Sequence, residues 1–292
     1  MPWAGTELAE VAPWSPGAGT VVGDYIVAVN SGGTLPSGAL LPTGSFTVFH
    51  VPSETARAFS GLSTQTYDPD SVMTLGSYAY ARARGSSGTL RDLRRIDPIT
   101  GAVTILNGTV GGSGPMGVAL GSTLWFIYNA SSALHRYTTA GVLTATTPGW
   151  STDTTGIATD GTYVYVSTGS GMYVLDSSGT VVTTISGVPS GYGIGIATGG
   201  RVYWQANNGV LFFDTSTYAW GVFAVTGAAF EGSLVAGADG WFYGMISGGS
   251  MAAVNPATGD RVDDTLPTSL SRPGRLFSAG GYLWRPYGEP VS

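Results

Sequence analysis

Apolar and aromatic residues come in short runs along this chain, and five of the runs open on a glycine: Gly121-STLWFIY, Gly161-TYVYVST, Gly200-RVYWQAN, Gly240-WFYGMIS and Gly281-YLWRPYG. Those glycines are 40, 39, 40 and 41 residues apart. Two earlier runs, Gly23-DYIVAVN and Gly76-SYAYARA, bring the number to seven, with wider gaps of 53 and 45 that predict longer connections. β-Branched and aromatic residues in runs this short, set between turn-forming residues, predict strands.

The flanks repeat with the same period. A short apolar strand precedes each of the five anchors, in MGVAL from Met116, GIATD from Gly156, GIGIAT from Gly193, LVAGAD from Leu234 and RLFSAG from Arg275. After the anchors at Gly121, Gly161, Gly200 and Gly240 come a third strand (ALHRY, MYVLD, VLFFD, MAAVN) and a fourth (VLTATT, TVVTTI, WGVFAV, RVDDTL). Four short strands repeated every 40 residues or so predict β-propeller blades. Turn chemistry points the same way: Asp97-Pro98-Ile99-Thr100-Gly101, Asn255-Pro256-Ala257-Thr258-Gly259, Asp176-Ser-Ser-Gly179 and Asp214-Thr-Ser-Thr217 fall between third and fourth strands. Asp or Asn opens such a turn by bonding its own backbone, Pro presets φ, and Gly takes a positive φ. The expected fold is a single all-β domain, a seven-bladed propeller of four-stranded antiparallel blades. Six blades is the alternative if the segment 23–66 is not a blade.

The Asp-Pro-x-Thr-Gly turn and the Tyr-Val-Tyr-Val strand at Tyr163 to Val166 resemble the YVTN and quinoprotein-like class of β-propellers. The resemblance covers nearly the whole chain as a pattern and speaks for fold, not activity. The Trp-docking motifs of quinone-binding propellers are not recognisable, so no cofactor is implied, and neither is the Gly-His and Trp-Asp signature of WD-type repeats. The last anchored strand ends near Tyr287, which leaves the seventh blade its two inner strands. An exposed strand edge invites aggregation, and propellers that this one resembles commonly close by borrowing a strand from the other terminus. Residues 1–16 are the available donor, with Leu8 and Val11 apolar and Pro2, Pro13 and Pro16 suited only to an edge strand. Thr6 to Ala12 is expected to pair with the 282–287 blade, leaving 17–292 as the propeller proper; the competing reading makes 1–16 an arm that docks on a neighbouring subunit.

Composition narrows the chemistry. Among 292 residues there are 46 Gly and 16 Pro, and 10% are charged, against roughly 25% in a typical globular domain. All twelve basic residues are Arg, against eighteen acids, for a net charge of -6, which disfavours nucleic acid as a partner. The absence of Cys removes disulfides, thiol catalysis and Cys-based metal centres. The N-terminal sequence does not read as a secretory signal, and no apolar run approaches eighteen residues, so no membrane span is expected.

Enzyme signatures are sparse. His50 and His135 lack a second imidazole at metal-ligand spacing, no metal site is expected, and no G-x-S-x-G elbow is present. Gly191-Tyr-Gly193-Ile-Gly195 is read as a tight inner strand near the propeller axis, since the helix of a dinucleotide-binding unit does not follow. Asp68-Pro-Asp70-Ser lacks the ligand spacing of a calcium loop, and the sequons at Asn107 and Asn129 are common chance matches. Asp70, Asp153 and Glu231 fall in loops where propeller glycosidases place their acids, and are candidates for carboxylate-pair hydrolysis or simply solvated. Two binding candidates remain. Tyr67, Trp150, Tyr192 and Phe230 each lie in a loop leading into an inner strand, to stack on sugars, anchor a protein, or cap the core between blades. Arg82, Arg84, Arg91, Arg94 and Arg95 concentrate five of the twelve arginines in the second blade, where bidentate pairing with carboxylates of a neighbour or an acidic glycan competes with a solvated or internally paired face. The insertion 31–44 adds Leu35, Leu40 and Leu41, apolar groups suited to a contact or to folding back on their own blade.

The composition, with no Lys, little charge and strands of Gly, Ser, Thr and Ala, resembles that of tail proteins of phages infecting high-GC actinobacteria. That resemblance implies a non-enzymatic virion component, a minor tail protein whose propeller docks to other tail proteins or takes part in host recognition, with a host cell-surface glycan as a further candidate partner. A lectin-like carbohydrate-binding propeller and a propeller glycan hydrolase or lyase are the alternatives.

Overall fold

The computed structural model describes residues 16–30, 33–34, 40–41, 46–59, 72–84, 90–111, 116–128, 133–146, 154–207, 209–224, 227, 230–246, 250–264 and 276–284. Six four-stranded antiparallel sheets succeed one another within them. The first has strands Pro16–Val22, Tyr25–Asn30, Phe46–His50 and Thr55–Phe59; the second Val72–Leu75, Tyr78–Arg84, Leu90–Ile96 and Val103–Gly111; the third Gly117–Leu120, Thr123–Tyr128, Ala133–Thr138 and Leu143–Thr146. The fourth has Thr154–Thr159, Val164–Thr168, Gly171–Leu175 and Val181–Ser186; the fifth Tyr192–Thr198, Arg201–Ala206, Gly209–Asp214 and Trp220–Ala224; the sixth Phe230–Ala236, Phe242–Ile246, Met251–Val254 and Arg261–Asp264. A seventh, two-stranded sheet pairs Phe277–Ala279 with Tyr282–Trp284.

Strand order within each sheet follows the sequence. The first strand of each sheet packs against the first strand of the next, and that of the seventh against that of the first, so the innermost strands close a ring. This is a β-propeller. Between the fourth and fifth sheets the approach is close enough for parallel pairing, Gly156 with Gly193 and Ile157 with Ile194, which bears out the reading of those glycines as a crowded inner strand. The segment 23–66 contributes strands to a four-stranded sheet, and within the insertion Gly33–Thr34 pairs with Leu40–Leu41; Leu35 lies outside the described residues. So do residues 1–15, including the expected closing strand Thr6 to Ala12.

Period-two alternation explains the core. In the first sheet Val27 and Val29 face the second, packing with Val72, Ala79 and Ala81. Ile26 and Ala28, on the other side of the same strand, face the seventh with Phe277, Ala279 and Trp284. Both faces of the inner strands are covered, so they read as continuous apolar runs rather than alternating ones; Val164–Thr168 is buried throughout.

The hairpins between third and fourth strands are built as their sequences predict. Asp97 accepts the N–H of Ile99 at 2.8 Å on its carboxylate while its backbone carbonyl accepts that of Gly101 at 2.8 Å. Asp176 holds the N–H groups of Ser178 and Thr180, Asp214 those of Ser216 and Thr217, and Asn255 that of Ala257. In the Asp214 turn Tyr218 takes the left-handed conformation (φ 60) that Gly101 and Gly259 take elsewhere. The first three sheets also each clasp the turn of the next. Arg57 donates to the carbonyl of Ile99 at 2.5 Å, Asn107 to that of Gly141 at 2.9 Å, and Arg136 to that of Ser177 at 3.2 Å. Gly141 combines a φ of +82° with an approach so close that a Cβ would lie 2.6 Å from that of Leu106.

These turns carry a pH dependence. Bonds from the backbone N–H of Thr217 and the hydroxyls of Ser216 and Thr217 hold Asp214 well below the usual carboxylate range. The Ser178 hydroxyl and the Thr180 N–H do the same for Asp176. A group whose pKa is depressed by folding contributes stability above its unfolded value, about 3.9 for Asp, and loses it as pH falls through the folded value. The melting temperature is therefore expected to fall below about pH 4. Asp214→Asn keeps an acceptor for the same turn, as Asn255 shows, and removes the titration; its melting temperature should fall less between pH 4 and pH 2 than that of the unaltered chain.

Candidate functional site

The arginine-rich second sheet offers the most built arrangement. Register places Arg82 opposite Leu93, Arg84 opposite Arg91, Tyr80 opposite Arg95 and Ala81 opposite Arg94. Because direct partners share a face and neighbours along a strand alternate, the five arginines divide between the two sides of the sheet. Arg94, on the side toward the first sheet, is buried and bonds Asp92 at 2.6 Å. Arg95, on the other side, lies over the ring of Tyr78 at 4.6 Å and bonds the Tyr80 hydroxyl. The side chains of Arg84 and Arg91 lie outside the described residues.

Arg82 continues the row Tyr78, Tyr80, Arg82 into the seam with the third sheet, where Tyr80 packs with Leu93, Leu124, Phe126 and Tyr137. It is 1% exposed. Its Nη1 donates to the Ile127 carbonyl at 3.3 Å and its Cζ stands 5.5 Å from the centre of the Phe126 ring. Nε and Nη2 have no hydrogen-bond partner among the described residues. Burial pulls its pKa down to about 10, with Tyr137 acting the other way, so it remains a cation at neutral pH. Facing it are His135 and Tyr137, with His135 Nδ1 3.3 Å from the Tyr137 hydroxyl. Burial first, and then the charge of Arg82, depress the His135 pKa, which keeps that imidazole neutral near pH 7. His135 is thus part of the wall of this seam, a placement the sequence did not suggest. Arg82 itself was legible, since an alternating row whose earlier members are core tyrosines carries its next member inward too.

Two of the aromatic candidates, Tyr192 and Phe230, lie among the described residues. Phe230 opens the first strand of the sixth sheet and is 4% exposed, packed with Tyr203, Val210 and Phe242 in the seam between fifth and sixth sheets; it takes the core-capping role and offers no face to a ligand. Its carbonyl accepts a bond from Gln205 Nε2. Tyr192, half-buried, pairs with Gln205 at the start of its strand. Tyr67, Trp150, Asp70, Asp153 and the Asp68 loop lie outside the described residues. Glu231 has its backbone in the strand Phe230–Ala236, and its side chain lies outside them too. His50 bonds the Ser53 hydroxyl at 2.6 Å on the surface and lies 4.8 Å from the Tyr25 ring, a local arrangement at one strand end.

No family model and no curated protein matches this chain. Solved structures share its fold. It aligns over 96% of its length with 91% of the WD40 β-propeller domain of Doa1, at 10% identity and a TM-score of 0.66. It aligns over 96% of its length with 92% of a catalytically inactive virginiamycin B lyase from Staphylococcus aureus, solved with quinupristin, at 12% identity and 0.67. The computationally designed Ika8 protein is matched over 93% of this chain and 91% of its own, at 12% identity and 0.58. At these identities the likeness is one of fold.

Proposed function

We propose that the chain is a non-enzymatic binding propeller carried on a bacteriophage virion, a minor tail protein that docks to other tail proteins or to the host surface. The observation that carries the binding part is where the described carboxylates are used. Asp97, Asp176 and Asp214 close third-to-fourth hairpins, and Asp160 and Asp239 close first-to-second hairpins and accept the hydroxyls of Tyr165 and Tyr243. Asp92 and Asp263 pair with Arg94 and Arg261. Among the described residues these carboxylates hold the ring together, and we assign recognition to the connections that enter the first strands. The virion part rests on composition: a Lys-free, charge-poor chain with Gly-, Thr- and Ala-rich strands. The test is mass spectrometry of purified particles. Peptides of this chain at a constant ratio to a major tail protein are the expected result, and their absence from infectious particles overturns the assignment.

A further inference from the structure

The outer strand of a sheet carries a row of unpaired N–H and C=O groups along its free edge, and natural sheets blunt such edges with charge, Pro or a break in register. Five of the six four-stranded sheets have such a device in or beside their outer strand. Arg57 stands in Thr55–Phe59, and Arg261, Asp263 and Asp264 fill three of the four places in the outer strand of the sixth sheet. In the second, third and fourth sheets the register of the outer strand shifts. The fifth sheet has neither. Its outer strand, Trp220–Ala224, reads WGVFA without a charge and runs in unbroken register, from Phe213 opposite Trp220 through to Gly209 opposite Ala224. Among the described residues nothing pairs with its other edge, and Trp220 is 40% and Val222 37% exposed.

That edge is complementary to itself. The Asp214 N–H donates to the Ala219 carbonyl at 2.8 Å, and alternation from that bond turns the peptide groups of Gly221 and Phe223 inward and those of Trp220, Val222 and Ala224 outward. A second copy of the strand, antiparallel about a two-fold axis at Val222, therefore exchanges a pair of backbone hydrogen bonds between the two Val222 residues and another pair wherever Trp220 meets Ala224. The same axis sets Phe223 of each copy directly opposite Gly221 of the other, in the closer, non-hydrogen-bonded kind of pair. Gly221 is the bare place on that face: the Phe212 ring leans over it, 2.7 Å from where a Cβ would stand, and the Phe212 and Phe223 ring centres are 4.9 Å apart. An aromatic side chain across from an edge glycine fills such a gap. On the opposite face Trp220 of one copy lies diagonal to Val222 of the other, within reach of an indole. With a net charge of -6 two copies repel one another in general, whereas this strand meets its copy without a charge on either side.

We propose that the outer edge of the fifth sheet is a homodimer interface, in which Trp220–Ala224 pairs antiparallel with the same strand of a second copy about a two-fold axis at Val222, so that the two fifth sheets join edge to edge. The interface stands independently of any role on a virion.

Sedimentation velocity of the full chain tests it. One short strand from each copy makes a small interface, so the dimer should be weak and assemble over roughly 10 to 500 µM. Val222→Lys sets like charges directly opposite one another across the axis; it should stay monomeric through that range and, as an edge substitution, melt within about 2 °C of the unaltered protein when both are dilute. Because the chain has no Cys, introduced thiols read the register directly. Hydrogen-bonded partners have Cα atoms about 5.5 Å apart, inside the range a disulfide can bridge. The two Trp220 positions would stand about 14 Å apart along the strands, outside it. Val222→Cys should therefore form a disulfide-linked dimer on air oxidation and Trp220→Cys should not, and this comparison carries the test should Val222→Lys not fold. A chain that stays monomeric to the top of the concentration range overturns the proposal, whether or not it captures a strand of another protein. So does a dimer undiminished by Val222→Lys, cross-linking of Trp220→Cys as fast as that of Val222→Cys, or growth past the dimer into open-ended species, since a two-fold contact closes on itself.

Discussion

Replacing Trp204 with alanine is expected to cost about 4 kcal/mol of stability, seen as a fall in melting temperature of roughly 8 to 16 °C for a chain of this size. Trp204 is fully buried in the second strand of the fifth sheet, facing Ala158, Tyr165, Met172 and Val174 of the fourth. Three glycines make room for its ring. A Cβ at Gly191 would lie 2.7 Å from the Trp204 Cβ, one at Gly195 2.6 Å from Nε1, and one at Gly156 3.1 Å from Cδ1. Backbone from two sheets therefore closes directly on the indole, and nothing nearby is free to fill the space that truncation leaves. The cavity term then adds to the lost transfer energy rather than being relaxed away. The indole N–H has no partner among the described residues, so Trp204→Phe, which removes that buried donor and keeps most of the ring, should lose less than half as much. The converse substitution, Gly195→Val, should also destabilise, by overpacking. Thermal melts of the three variants check the set; a Trp204→Ala loss below about 1 kcal/mol would mean that the seam collapses readily and that the glycines do not clasp the ring.

Strand positions, the repeat and the hairpin chemistry were legible because each depends on residues close in sequence. Which seam a side chain enters was not. The anchor glycine occupies the first place of a two-residue hairpin in the third sheet, where Leu120 pairs with Thr123, and the second place in the fifth, where Thr198 pairs with Arg201. Trp125 and Trp204 both stand four residues after their anchors, yet this one-residue difference turns them to opposite faces of their sheets. Both consequently pack on the fourth sheet, one from each side. Phe230 was misplaced for a related reason: the strand begins on it rather than after it, so a residue expected in a loop is held in the core. For the arginines, alternation gives the buried position of Arg82, while its facing wall of Phe126, His135 and Tyr137 belongs to the next sheet and is set by ring packing that no local pattern encodes. The inter-sheet clasps are hidden similarly. Arg57 reads as a surface residue of an outer strand until the Asp97 turn of the next sheet arrives beneath it.

Removal of residues 1–15 is expected to lower the melting temperature by on the order of 10 °C. The seventh sheet has two strands among the described residues, and its second, Tyr282–Trp284, carries Tyr282 62% exposed. The first sheet begins at Pro16 with a strand packed against Phe277–Ala279, so the chain arriving from residue 15 enters the ring beside that two-stranded sheet. Three residues lie between Ala12 and Pro16, and the four steps span up to about 14 Å, close to three strand spacings. A strand over Thr6 to Ala12 is therefore within reach of the edge at Tyr282–Trp284. Such a strand would add several backbone hydrogen bonds of about 1 kcal/mol each and would cover an edge that otherwise recruits other chains. The shortened chain should accordingly melt early and associate through the seventh sheet, and a synthetic peptide of residues 1–15 added back should restore the melting temperature. An arm that docks on a neighbouring subunit gives the opposite pattern: an unchanged melt, with the oligomer lost on sedimentation. The two outcomes separate because closure acts on one ring and is independent of protein concentration, whereas an exchanged arm acts between rings and weakens on dilution.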